Sequence, residues 1–154
     1  MYQKILVPLD GSKEAEGVLP TIQGLLSPEG QGILLHVIPS GWHMWMGQEF
    51  LLTAEEEEEE RARAMAYLRA VASQAVGLPG RWVCEVLGFG NVADRIVDFA
   101  SREQVDLIAM YTHGRKGLAK LFKGSVAETV QKRASTKVCV VGPGERARRQ
   151  SPAH

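Results

Sequence analysis

The chain is predicted to be a single α/β domain, a five-stranded, mostly parallel open sheet with helices on both faces. Three observations lead there. Short apolar runs alternate with helix-length stretches of 3.6-residue periodicity along the whole sequence. One of those runs, Gly32 to Ile38, is almost continuously apolar, as a strand buried on both faces would be. At 154 residues, with no internal repeat or dividing linker, one core is enough.

The elements run in this order. Lys4 to Leu9 is a first strand, closed by the turn Asp10-Gly11-Ser12. Ser12 to Leu26 then carries Ala15, Val18, Leu19, Ile22 and Leu25-Leu26 at helical spacing, until Ser27-Pro28-Glu29-Gly30 breaks it. Gly32 to Ile38 is the second strand, ended by Pro39-Ser40-Gly41. Trp42 to Leu52 is an aromatic and Met-rich connection. A long helix opens at Thr53 and runs to about Val76, with Glu55 to Glu60 early and Arg61, Arg63 and Arg69 later. Acid early and base late suits the helix dipole, and Glu-to-Arg pairs fall at i,i+4.

Arg81 to Leu87 is a third strand, and Gly88-Phe89-Gly90-Asn91 turns into a helix bearing Val92, Ile96, Val97, Phe99 and Ala100. Val105 to Met110, Gly124 to Arg133 and Lys137 to Val141 complete the alternation as strand, helix and strand. Residues 143–154, rich in Gly, Pro and Arg, read as a mobile tail after a domain of residues 1–142.

Charge excludes a global nucleic-acid field, since 18 Lys+Arg face 18 Asp+Glu. No apolar run approaches the ~20 residues that span a bilayer. The N-terminus reads as a strand and lacks the parts of a secretory signal, so a cytoplasmic location is expected. Cys84 and Cys139 lie inside strand-like runs and read as buried core thiols.

In open α/β sheets, ligands bind outside the carboxyl ends of the strands. The richest polar cluster at such ends pairs Asp10 with the segment from Gly114 to Gly124-Ser125. Glycine lets the main chain approach an anion, and free N–H groups at a helix N-terminus point at it. Gly114, Gly124, Ser125 and the N–H groups of Val126 and Ala127 are therefore phosphate-binding candidates, and Asp10 a ribose or metal ligand. Asp10 and Gly124-Ser125 are equally compatible with a plain turn and a plain helix cap.

The segment VDLIAMYTHGRKGLAKLFKGSVAETV, the N-terminal KILVPLDGS and LLHVI in the second strand resemble the universal stress protein family over about residues 2–142. That resemblance implies an adenine nucleotide alpha hydrolase-like fold and a regulatory module that binds ATP, with or without magnesium, in a stress response. AMP or no ligand are the alternatives. Nucleotide-binding members share Gly, two residues, Gly, nine residues, then Gly with Ser or Thr. Here Gly114 and Gly124-Ser125 fit, while the first position is Tyr111. The likeness also implies adenine near Val37, ribose near Asp10 and Gly114, and phosphates near Arg115, Gly124, Ser125 and Val126. Pro8, Leu9 and Met110 would line the pocket.

Tyr111 opens two outcomes. A left-handed tyrosine costs roughly 1–2 kcal/mol, and a ring inside the pocket excludes the ribose. The chain would then be a dimeric interaction protein without nucleotide. A ring pointing away changes little.

Other motifs are weaker. Gly88-Phe89-Gly90-Asn91-Val92-Ala93 fits G-x-G-x-x-A, but Asp106 stands at the start of the next strand rather than its end, so the segment reads as a turn and helix start. No Walker sequence appears. His36, His43, His113 and His154 have no metal spacing; His36 reads as a core residue, and His113 as facing phosphate or bracing a turn. No nucleophile elbow is visible, so no catalytic residue is assigned and any hydrolysis would be slow. Trp42, Met44, Trp45, Met46 and Phe50 form a flap over the sheet or a partner surface. The last strand, Lys137 to Val141, is expected at a sheet edge, where it invites a homodimer.

Overall fold

The computed structural model describes residues 1–39, 44–45, 48–49, 52–112 and 124–142. β1 (Tyr2–Pro8) enters a parallel sheet as its central strand. Its β-branched and leucine residues Ile5, Leu6 and Val7 are fully buried, because both faces are covered. A short 3-10 turn (Ala15–Val18) and α1 (Leu19–Ile22) come next. The expected helix from Ser12 to Leu26 is thus much shorter. Pro20 has no N–H to bond the Glu16 carbonyl, and the Leu19 N–H takes that carbonyl in a tighter i→i+3 bond instead.

β2 (Leu26–Pro39) starts six residues before the expected Gly32. Pairing with β1 jumps from Tyr2 opposite Leu26 to Lys4 opposite Gln31, so Ser27 to Gly30 arch out of the ladder as an irregularity. The breaker residues act inside the strand rather than before it. Gly30 is needed there, since a Cβ would come 2.8 Å from the Gln3 carbonyl oxygen. β3 (Met44–Trp45) and β4 (Gln48–Glu49) form a small antiparallel pair. Trp42, His43, Met46 and Phe50 lie outside the described residues.

α2 (Ala54–Gln74) starts at a capping box: Glu56 N–H donates to Thr53 Oγ1 at 3.2 Å, and Thr53 N–H to Glu56 Oε2 at 2.7 Å. Glu55, Glu56 and Glu57 occupy its first turn, but its last turn holds no base, so the dipole argument applies only at the N-terminus. Glu60 pairs with Arg63 at i,i+3 and 2.6 Å. β5 (Arg81–Gly90) runs through the expected Gly88–Gly90 turn. α3 (Val92–Arg102) is capped by Asn91, whose Oδ1 accepts from Asp94 N–H at 3.1 Å. β6 (Leu107–Tyr111), α4 (Gly124–Arg133) and β7 (Lys137–Val141) complete the fold. Residues 143–154 lie outside the described residues.

The main sheet is ordered β5-β2-β1-β6-β7, with every pairing parallel and β7 at an edge as expected. Two apolar layers sandwich it. One joins Leu6, Leu35, Val37, Ile108 and Met110 to Ile96 and Phe99 of α3 and Val130 of α4. The other joins Ile5, Val7, Leu34 and Leu107 to Val18, Ile22 and Leu68. Alternation along each strand assigns neighbours to opposite layers. Cys84 and Cys139 are free thiols of intermediate exposure rather than fully buried, and burial raises both pKa values. None of the described helices is long and apolar enough to cross a membrane.

Candidate functional site

Chain order reverses at β1, which has β2 on one side and β6 on the other. A crevice outside the carboxyl ends of the strands at such a point is where open α/β sheets hold ligands. β1 pairs with β6 through Ile5–Leu107 and Leu6–Ile108, so the same register carried forward puts Tyr111 level with Leu9. The tips of the first and fourth principal strands therefore lie side by side, as the sequence required.

Beyond β1 the chain is held tightly. Leu9 N–H donates to the Leu35 carbonyl at 2.8 Å, and Leu9 is 1% exposed. Asp10 Oδ1 accepts from Ser12 N–H at 2.9 Å and from Ser12 Oγ at 2.5 Å. Ser12 Oγ in turn accepts from Ala15 N–H at 3.2 Å. Asp10 is thus a turn residue, and Ser12 ties that turn to the start of the 3-10 turn. The backbone turns at Gly11 with φ +89°, a left-handed value that glycine adopts without strain.

On the α3 side, Pro8, Leu9, Asp10 and Val37 meet Val92 and Ile96 around a small recess. Its volume is about 10 Å³, room for one water. Met110 is fully buried in the apolar layer of this same side. Gly124 opens α4, with Ser125 and Val126 in its first turn, where the leading N–H groups have no partner within the helix. Gly114, Arg115 and His113 lie outside the described residues. Among those described, no group of three or more His, Cys, Asp or Glu side chains could hold a metal ion.

The universal stress protein family model matches residues 1–142. The chain belongs to the universal stress protein family. Universal stress protein MJ0577 of Methanocaldococcus jannaschii is 30% identical over 155 residues, covering 92% of this chain and 95% of that protein. The solved MJ0577 structure superposes with a TM-score of 0.70 at 25% identity, over 95% of this chain and 99% of that one. A universal stress protein solved with cAMP matches at TM-score 0.66 and 20% identity, over 92% and 97% of the two chains. One from Archaeoglobus fulgidus, solved with dAMP, matches at TM-score 0.58 and 20% identity, over 90% and 97%. The last two likenesses establish shared fold.

Tyr111 stands where the sequence reading expects the first glycine of a nucleotide-binding motif. Its backbone is in β6, and the only non-glycine residue with positive φ among those described is Gln104. The left-handed strain is therefore absent. Tyr111 packs against the α1/α2-side layer, opposite the recess. Its ring rests on Gly17, where a Cβ would meet Tyr111 Cε2 at 3.2 Å.

Two further residues at this tip belong to the site's surroundings. His36 is half-buried, and its Nδ1 donates to the Leu9 carbonyl at 2.9 Å, since a carbonyl only accepts. Its ring stands edge-on to Tyr67 of α2, at 6.3 Å between centroids. The Tyr67 phenol is pushed up to about 12, first by burial and then by the Glu16 and Asp10 carboxylates; the Gly11 backbone offsets part of the rise. Sequence reading bypassed Tyr67. The available signal was its place beside Ala64, Leu68 and Val71, the buried stripe of an otherwise charged helix.

Proposed function

We propose that this universal stress protein binds an adenine nucleotide, ATP in the first instance, at the tips of β1, β2 and β6. Asp10 accepts from the ribose, Val37 meets the adenine, and Pro8, Leu9 and Met110 support the pocket floor. Gly114, Arg115, Gly124, Ser125 and Val126 receive the phosphates, with or without magnesium. The observation that carries the reading is the direction of Tyr111: its ring packs on Gly17, in the layer away from the recess. That placement favours an open site over a non-binding scaffold plugged by tyrosine. Relatives of the same fold solved with cAMP and dAMP support an adenine ligand. At about 10 Å³ the recess cannot enclose a base, so the adenine lies across its mouth.

The role is occupancy-dependent signalling in a cytoplasmic stress response rather than turnover. Asp10 is the candidate base at this tip, and its Oδ1 is already engaged by Ser12. The edge strand Lys137–Val141 pairs with a second copy to form a homodimer. Calorimetric titration with ATP and AMP, with and without magnesium, tests the binding. Saturable heat is expected, and none at millimolar ligand would overturn it. Sedimentation showing only monomer at micromolar concentration would overturn the dimer.

A further inference from the structure

β5 forms the second margin of the main sheet, with β2 as its neighbour on one side. From Arg81 to Leu87 it pairs regularly with Gln31 to Val37, and the register irregularity falls beyond, between Val37 and Pro39. On its outer side no strand pairs with it among the described residues. Sheet edges are commonly blunted by lysine, proline or a bulge, and Arg81 to Leu87 carries none of these.

Both faces of this margin are apolar and half-buried. Trp82, Cys84 and Val86 pack against the α1/α2-side layer, and Val83 and Leu87 against the α3/α4-side layer. A further strand here continues both layers. The two charges of the run, Arg81 and Glu85, are exposed, and neither makes an ion pair among the described residues. Alternation puts them on the face of Val83. Four residues of extended chain hold them about 13 Å apart, too far to pair with each other.

Those two charges select the partner. A second copy laid antiparallel, with the two-fold axis at Val83, sets each Arg81 opposite the partner's Glu85. Directly opposed side chains share a face, with Cβ atoms about 4.5–5.5 Å apart, so both ion pairs close. Registers centred on Arg81 or Glu85 oppose like charges. Registers centred on Trp82 or Cys84 set both charges against Val83, Leu87 or Pro79. We propose that the Arg81–Leu87 margin is a docking surface for a second copy of this chain, paired antiparallel about Val83. It lies at the opposite end of the sheet from β7, so copies that use both margins build assemblies larger than a dimer.

Sedimentation velocity at micromolar concentrations tests this with wild type, Arg81→Glu, Glu85→Arg, an equimolar mixture of the two variants, and the double exchange Arg81→Glu/Glu85→Arg. Each single variant makes the two charges alike and should weaken association at this surface by about tenfold or more. The mixture and the double exchange restore both ion pairs, and should regain the wild-type species. A contact through β7 contains neither residue, so any dimer left in the single variants reports that contact alone. Monomeric wild type, or single variants that sediment as wild type does, overturns the proposal. A mixture that stays as light as its components, or a double exchange as light as the single variants, overturns it equally.

Discussion

Replacing Tyr111 by glycine puts a glycine where the family resemblance leads one to expect it, and the position of the ring decides the effect of that change. The ring lies in the layer formed by β1, β6 and the 3-10 turn, against Gly17 and away from the recess beside Val37. Tyr111→Gly should therefore damage the fold and leave the ligand site nearly as it was. Truncating a fully buried aromatic costs about 3–5 kcal/mol, and this half-buried ring about half of that. Glycine within a strand adds about 0.5–1 kcal/mol. The sum is about 2–3.5 kcal/mol, which for a domain of this length lowers the melting temperature by about 4–14 °C. ATP affinity should stay within about threefold of wild type, a change of about 0.6 kcal/mol. Thermal denaturation followed by circular dichroism reads the first quantity, and calorimetry the second. A gain in ATP affinity of about tenfold or more, roughly 1.4 kcal/mol, would refute the reasoning, because the tyrosine ring would have been filling ligand space.

Three smaller perturbations probe the scaffold. Thr53→Ala removes one half of the capping box on α2 and should cost about 1 kcal/mol in urea denaturation. Gln104 holds φ 51° just after α3, so Gln104→Gly should stabilise by about 1 kcal/mol; a loss would mean that its side chain contributes more than the strain costs. The raised Tyr67 pKa means that the folded form retains this proton more strongly than the unfolded chain. Its contribution is complete below pH 10.0 and is lost as pH rises towards about 12, so stability should fall across that window. The fall should be shallower in Tyr67→Phe, as measured by denaturation at several alkaline pH values.

Much of this was legible in the residues. The alternation of apolar runs and periodic helices predicts the parallel sheet, and α4 and β7 keep their predicted bounds. Thr53 and Glu56 announce the start of α2 because a cap is a local interaction. Where tertiary contacts decide, the sequence was less informative. Apolar spacing alone could not show that Pro20 would tighten α1, or that Ser27 to Gly30 would arch out within β2. Asp106 fails as a ribose acid by its position at a strand start, yet its role there is visible only in three dimensions. Its Oδ2 accepts from Gln3 N–H at 2.9 Å and Lys4 N–H at 2.8 Å, pinning the foot of β1 to that of β6. Near the proposed site, Asp10 stood out because its neighbours in sequence make a turn, and Val37 through the family resemblance. The contact between Tyr67 and His36 was not legible, because Tyr67 arrives from a distant helix. The direction of Tyr111 comes from strand alternation, which becomes decisive only once the two apolar layers are known.

The central position of β1 also shapes how the molecule must be made. β1 leaves a ribosome before either of the strands that flank it in the finished sheet. Its partner β2 emerges soon after, but β6 begins only at Leu107. During that interval one hydrogen-bonding margin of a very apolar ribbon stays open. Pairings so remote along the chain form slowly and expose nascent protein to misassociation. Closure of the crevice between β1 and β6 is consequently a late event of biogenesis, and translation products truncated before Leu107 should accumulate as aggregates rather than as folded fragments.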